Sequence, residues 1–225
     1  MEDAFRSLSD QELGELEIIE TLRFDPGQGL VRCDLHLARM ARSATAFGFP
    51  FDRGGALAAL AEASGAGPLR LRLTLNRTGR FKLNSAVLAP DPPIWNFAIA
   101  RDRLHAADPW LRHKTTRRSL YNRHRAELPP GVDEIVFCNH FGALCEGTIS
   151  NIFVLRNGVL LTPDTGAGLL PGVLREQLLA QGKARPAGLT LADLASAEAL
   201  FLGNSLRGLI PARLVSGPMP APSAP

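Results

Sequence analysis

Lysine is nearly missing from this chain of 225 residues: of its 25 basic side chains only Lys82, Lys114 and Lys183 are lysine. Arginine cannot act where a deprotonated amine must attack a carbonyl, because the guanidinium keeps its charge. Any amine chemistry is therefore confined to three positions. Cysteine is equally sparse. Cys33, Cys138 and Cys145 have no Cys-x-x-Cys spacing, which excludes a disulfide framework or zinc ribbon and leaves buried, inert thiols. His36, His105, His113, His124 and His140 show no metal-ligand spacing and no Gly-x-Ser-x-Gly elbow occurs, so neither a metal nor a serine hydrolase is expected. Charges break every apolar run short of a membrane span, and no basic region precedes an apolar stretch at the N-terminus. The expectation is a cytoplasmic chain with no membrane partner. A net charge of +3 and an aromatic content of 6% call for no nucleic-acid partner either.

What the chain does have is apolar material: 45% of its residues are hydrophobic, enough to bury one large core or two small ones. Residues 14–24 alternate acidic and apolar and run into Asp25-Pro-Gly-Gln-Gly, a strand and a turn, with Asp34 placed to cap the next element. Leu37, Met40, Ala44 and Phe47 recur at helical spacing over residues 36–48, and a second helix follows over 55–64. Alternation over 69–75, a turn at Asn76-Arg-Thr-Gly and a partner over 80–88 make a half-buried hairpin. A strand over 94–100 precedes the polar segment 101–109, the best linker candidate. Beyond it the pattern predicts a basic helix over 117–128, strands over 134–138, 148–155 and 159–162, and a helix over 171–180. A Thr190-x-x-Asp193 capping box opens a short helix before strands over 199–202 and 209–214. The expected partition is a small α+β domain over 1–103, a linker over 104–112, a larger domain over 113–217 and a disordered tail over 218–225.

Four segments could carry chemistry. Lys114 stands in Trp110-Leu-Arg-His-Lys-Thr-Thr-Arg-Arg, after the linker and before a helix, where an amine could face an interdomain cleft. On spacing alone the plainer reading is a surface lysine, or a basic patch with Arg117, Arg118, Arg123 and Arg125. Residues 162–176 form a Gly/Pro loop leading straight into a helix whose first amides lack partners, an end that binds phosphate. It is no Walker loop, and similar loops often simply begin helices. Glu146 lies at the brink of an apolar strand, where a carboxylate is costly to bury unless something positive pairs with it; an exposed loop glutamate is the alternative. Asn204-Ser-Leu-Arg-Gly interrupts two apolar strands, as a tight turn would.

Jointly, His36-Leu-Ala-Arg-Met-Ala-Arg-Ser-Ala, His113-Lys-Thr-Thr-Arg-Arg, Glu146-Gly-Thr-Ile-Ser-Asn-Ile-Phe, Gly168-Leu-Leu-Pro-Gly-Val-Leu-Arg and Asn204-Ser-Leu-Arg-Gly resemble the class IV aminotransferase family in order and spacing. The resemblance runs from about Glu20 to about Leu214. Within the family, Lys-Thr-Thr-Arg-Arg and Asn-Ser-x-Arg-Gly look most like the aminodeoxychorismate lyases of folate biosynthesis.

The resemblance implies a fold-type IV pyridoxal 5'-phosphate (PLP) enzyme, α+β and α/β, with the cofactor at the interface of two mixed domains and a homodimer as the assembly. It implies that Lys114 carries PLP as a Schiff base and acts as general acid and base. Arg39 would contact the phosphate, which the amides of Val173 and Leu174, with Asn204 and Ser205, would cup. Glu146 would face the pyridine nitrogen, and Arg207, Arg23 and Tyr121 would bind the small-molecule substrate. The implied reaction converts 4-amino-4-deoxychorismate to 4-aminobenzoate and pyruvate. A transaminase of branched-chain amino acids, D-amino acids or amines uses the same residues. The chain departs from the transaminases in keeping only Glu20-Thr-Leu-Arg of their usual first strand and in having Tyr121 as its sole tyrosine, which favours the lyase. A basic nucleic-acid-binding module centred on 117–125 is the remaining, non-enzymatic alternative.

Overall fold

The computed structural model of the chain describes residues 9–215, so the expected disordered tail over 218–225 lies outside the described residues. Among them the chain divides into two units. One runs to Pro90 and takes in His113–Arg117; the other holds Asp91–Arg112 and the residues from Arg118 onward.

In the first unit a short helix α1 (Asp10–Glu15), which no sequence signal announced, leads into β1 (Glu17–Asp25), β2 (Gly29–Val31), α2 (Cys33–Phe47), α3 (Arg53–Ala61), β3 (Leu69–Asn76) and β4 (Phe81–Val87). The strands form an antiparallel sheet in the order β2-β1-β3-β4. α2 begins before its apolar stripe because Arg32 adopts a left-handed conformation (φ 58) and turns the chain into the helix. Asp34 is therefore no cap: it sits in the first turn, with its carboxylate paired to Arg53 at 2.6 Å. Leu22, Leu37, Met40, Leu71 and Leu73 are fully buried, each worth about 1.5–3 kcal/mol of transfer free energy.

Residues 114–116 extend this sheet from far along the chain. Ile19 N donates to the Lys114 carbonyl at 2.8 Å, Ile18 bridges Thr115, and Thr116 N donates to the Glu17 carbonyl at 2.9 Å. The edge of β1 that β2 leaves uncovered is thus filled by the segment carrying Lys114.

The second unit opens with β5 (Trp95–Leu104), which runs on through the polar segment expected to be linker. After a register shift, Arg103 pairs with Cys138 and Leu104 with Asn139, and the burial of Leu104 fixes the extension. A 3₁₀ turn, Pro109–Arg112, and α4 (Ser119–Ala126) follow, then β6 (Glu134–Asn139), β7 (Leu144–Gly147), β8 (Asn151–Arg156), β9 (Val159–Pro163), α5 (Val173–Ala180), β10 (Ala184–Ala187), α6 (Leu191–Ala195), β11 (Ala199–Asn204) and β12 (Gly208–Leu214). The capping box at Thr190 and Asp193 is present. β7 was not anticipated, and the strand expected over 148–155 starts only at Asn151, because residues 148–150 bend and give their amides elsewhere.

The sheet order is β10-β9-β8-β11-β12-β5-β6-β7, and β7 also pairs with β8 through Glu146 and Asn151. Six strands therefore close into a ring, on which β9 and β10 form an extension. Phe97, Val136, Leu144, Ile152, Leu202 and Ile210, one from each strand of the ring, belong to one buried cluster. A second cluster around Ala98, Ile135, Phe137 and Cys145 takes in Leu120 and Tyr121 of α4. β6 is buried along its whole length, which explains why its middle, Ile135-Val-Phe-Cys, is unbroken apolar sequence between two buried polar residues.

Candidate active site

β1 carries Glu20 into the first unit's interior, where it is 1% exposed, and α2 brings His36 and Arg39 to it. Arg39 grips both carboxylate oxygens, Nε to Oε1 at 2.9 Å and Nη2 to Oε2 at 2.7 Å, while His36 Nδ1 meets Oε2 at 2.5 Å. Burial pushes the Glu20 carboxyl upward, but the charge of Arg39 and the His36 contact outweigh it and bring the pKa from 4.5 down to about 2. Burial likewise pushes His36 down from 6.5, and the Arg39 and Lys114 charges add to this against the pull of Glu20. The imidazole is thus neutral near pH 7, with Nδ1–H donating to Glu20. Lys114 lies within electrostatic reach of this cluster, its main chain fixed on β1. Arg23, farther along β1, pairs with Asp25 at 2.9 Å. Sequence reasoning gave Glu20 and His36 no role; the available signal was an acidic side chain amid apolar neighbours in a strand.

In the second unit, Glu146 is 6% exposed at the strand pair that closes the ring. Its Oε1 accepts from the Tyr121 hydroxyl at 2.7 Å and its Oε2 from the Leu170 amide at 3.1 Å. Tyr121, expected among the substrate-binding residues, thus has its hydroxyl on Glu146. Asn151, the register partner of Glu146, donates from Nδ2 to the Leu170 carbonyl at 3.0 Å. It also lies so close to Gly172 that a Cβ there would come within 2.0 Å of Asn151 Oδ1. Gly172 is the N-cap of α5 and no side chain caps that end, so the amides of Val173 and Leu174 lead a helix start of positive potential. The 203–205 segment approaches the same end: a Cβ on Gly203 would come within 2.9 Å of Leu174 Cδ2.

Asn204 does pair with Gly208 in a tight β11–β12 turn, and its side chain builds that turn. Oδ1 accepts from the Leu206 and Arg207 amides at 3.1 and 3.0 Å, and Nδ2 donates to the Ile149 carbonyl at 3.2 Å. Ser205 is 7% exposed in spite of its place at a hairpin tip. Arg207 is paired with Asp91.

The residue that sequence reasoning missed most plainly is Glu134, read only as the start of a strand. It is fully buried, and its carboxylate collects the amides of Ile135, Thr148 and Ile149 at 2.9, 3.0 and 3.1 Å, the Ser150 hydroxyl at 2.8 Å and the Thr148 hydroxyl. Residues 148–150 thus wrap around one side chain. Gly147 is obligatory beside it, because a Cβ there would meet Ser150 Oγ at 2.5 Å and Glu134 Cδ at 2.9 Å. Arg118 holds the Thr148 carbonyl from the other side at 3.0 Å. The basic residues of α4 are committed in the same way: Arg123 and His124 to Asp102 at 3.2 and 2.8 Å, and Arg125 to the Asp133 carbonyl at 2.7 Å.

The second unit therefore gathers Glu146, the α5 start and the 203–205 turn, and the first gathers Lys114 and Arg39 with Glu20 and His36. Each unit's set suits part of PLP: the first offers a lysine on a fixed main chain, and the second a buried carboxylate and a helix start uncapped by any side chain.

The family model described as Amino-transferase class IV matches residues 17–215, and the chain belongs to that family, whose members are PLP-dependent enzymes. A Mesorhizobium loti protein of solved structure, named "putative amino-acid aminotransferase", is 44% identical and superposes with a TM-score of 0.85 over 89% of this chain and 100% of its own. The 4-amino-4-deoxychorismate lyase of Pseudomonas aeruginosa is 25% identical, with a TM-score of 0.74 over 88% of this chain and 82% of its own. Both agree with a fold-type IV architecture. Among curated relatives, the Schizosaccharomyces pombe "putative aminodeoxychorismate lyase" is 34% identical over 47% of this chain and 48% of its own length. A Methanocaldococcus jannaschii "putative branched-chain-amino-acid aminotransferase" is 34% identical over 39% and 32%. The chain thus spans half or less of the length of these curated relatives. No helix among the described residues is long and apolar enough to cross a membrane.

Proposed function

We propose that the chain is a PLP-dependent lyase that converts 4-amino-4-deoxychorismate to 4-aminobenzoate and pyruvate. One observation carries the choice of lyase over transaminase: the chain has a single tyrosine, and its hydroxyl is committed to Glu146. No second tyrosine is left to shape the aromatic pocket that transaminases of the family use.

Bound PLP supplies an electron sink for the pair left when a proton departs the substrate carbon beside nitrogen. In this reading Lys114 Nζ would hold the cofactor and, at the substrate carbon beside nitrogen, would take that proton and later return one. Glu146 keeps the pyridine nitrogen protonated. Arg39, oriented by Glu20, and the amides of Val173 and Leu174 with the Ser205 hydroxyl hold the phosphate, while Asn204 shapes the turn that presents Ser205. Arg23 and Arg207, each paired with an aspartate in the substrate-free chain, would meet substrate carboxylates with the guanidinium N–H groups that those aspartates do not take. The bond from the ring carbon to the enolpyruvyl oxygen breaks, pyruvate leaves, and the ring becomes aromatic, so atoms balance without water. The family expectation of a cytoplasmic homodimer belongs to the same proposal.

The M. loti relative's name favours a second reading, an amino-acid transaminase. Incubation with 4-amino-4-deoxychorismate separates the two: stoichiometric 4-aminobenzoate and pyruvate support the lyase. Conversion of the bound cofactor to its amine form by an amino donor alone, without 4-aminobenzoate in the parallel assay, supports the transaminase and overturns the lyase.

A further inference from the structure

Glu146 is held from two directions, by α4 through Tyr121 and by the loop before α5 through Leu170, one donor to each oxygen. A carboxylate that must face a ring nitrogen needs its rotation fixed, and a donor on each oxygen from two separate elements restricts that rotation. We infer that Tyr121 is a positioning residue for Glu146, orienting the carboxylate and lowering its proton affinity by donating to it. The inference rests on the PLP reading for its consequence, though not for its geometry.

The phenol is well placed for such a task. Its ring stands edge-on to Phe137 of β6, with centroids 5.4 Å apart at 78°, and Phe137 is itself fully buried and braced by His124 at 5.0 Å. α4, which carries Tyr121, is anchored through Arg118 to the Thr148 carbonyl and through Arg125 to the Asp133 carbonyl. The hydroxyl therefore sits on a rigid mount. The direction of the bond is fixed as well. Burial first, and then the charge and hydrogen bond of Glu146, push the phenol far above its ordinary range; Cys145 adds to this and Arg118, 5.8 Å over the ring, opposes it. At neutral pH Tyr121 is therefore the donor and Glu146 the acceptor.

A neutral donor on a carboxylate favours its ionised form. The weaker the proton affinity of Glu146, the more completely a shared proton rests on the pyridine nitrogen. Loss of the hydroxyl thus leaves a more basic and more mobile carboxylate, and a ring nitrogen that carries less positive charge. A less positive ring in turn raises the proton affinity of the nitrogen joined to Lys114.

Because Tyr121 is the only tyrosine, the wild-type protein without cofactor reports on it directly by tyrosinate absorbance. The expected result is no ionisation until the near-ultraviolet circular dichroism is lost. A phenol that titrates near its ordinary value of about 10 in the folded protein overturns the inference. Tyr121→Phe keeps the ring on Phe137 and removes the bond. In a cycle with Glu146→Gln, urea unfolding of the cofactor-free proteins is expected to give a coupling of about fivefold or more in the folding constant. Additive effects overturn the inference. In the PLP-loaded protein, Tyr121→Phe is expected to raise the cofactor's dissociation constant about threefold or more and to move the pH midpoint of its visible band upward by about half a unit. An unmoved midpoint overturns the proposed role on the cofactor. If wild type takes up no PLP, the functional reading fails while the tyrosine titration and the cycle still decide the geometry.

Discussion

Ile19 donates its amide hydrogen to the carbonyl of Lys114 at 2.8 Å, one residue from Glu20 along the same strand. The contact is between main chains, so the segment carrying the amine is docked whatever side chain stands at position 114. Lys114→Ala is therefore expected to keep its folding free energy within about 1 kcal/mol of wild type and to lose covalent retention of PLP altogether. Thermal unfolding checks the first part. Borohydride reduction followed by mass mapping checks the second, with the label expected on Lys114 in wild type and nowhere in the variant.

Glu134 gives a different balance of stability and function. Its removal strands a hydroxyl pair and three amides that are already withdrawn from water, so Glu134→Ala is expected to cost about 3–5 kcal/mol. Glu134→Gln keeps one acceptor oxygen and is expected to cost roughly half as much. Urea unfolding at neutral pH measures both. Equal, small losses would mean that residues 148–150 hold their bend without this carboxylate.

Acid should expose the Glu20 cluster. In the folded chain the carboxyl is held at about 2 against 4.5 in an unperturbed side chain, so the unfolded chain takes up its proton first as the pH falls. The stability this contributes is fully present above about 4.5 and is lost as the pH drops through about 2, roughly 3 kcal/mol in all. Unfolding free energies measured across that window should show the decline. Glu20→Gln should flatten it while leaving Arg39 without its carboxylate and the whole protein less stable.

Much of the fold was legible where one physical pattern decided the outcome. Alternation marked the β3–β4 hairpin because β3 buries one face at Leu69, Leu71, Leu73 and Leu75, while β4 half-buries only Phe81 and Leu83, and the Thr190 capping box is a local hydrogen-bond motif that needs no tertiary context. Patterns failed where the deciding partner was remote. Arg101–Leu104 looked like a linker because its polarity said nothing of the ladder with Cys138 and Asn139. Asp34 looked like a cap because the left-handed turn at Arg32 leaves no trace in composition.

The candidate site divides in the same way. Glu146 could be singled out because a carboxylate entering an apolar strand must be answered by something, but the answer, a phenol and an amide, could not be read. Glu20 was hidden by an alternation that suggested an exposed face, whereas α2 covers it with His36 and Arg39. Glu134 was hidden because a strand's first residue is commonly polar, and its five donors include three main-chain amides that any sequence possesses.

The pairing of Ala212–Leu214 in β12 with Trp95–Phe97 in β5 has a consequence for the order of assembly. These strands run parallel and are far apart in sequence, so the loop between them must be gathered before any ladder energy is returned. A nascent chain that has already released β6, β7 and β8 can make their antiparallel contacts, yet it remains an open ribbon until β12 arrives. Glu146 is therefore synthesised early and enclosed late, and the second unit should show slow, all-or-none acquisition of its final environment rather than gradual growth from one end.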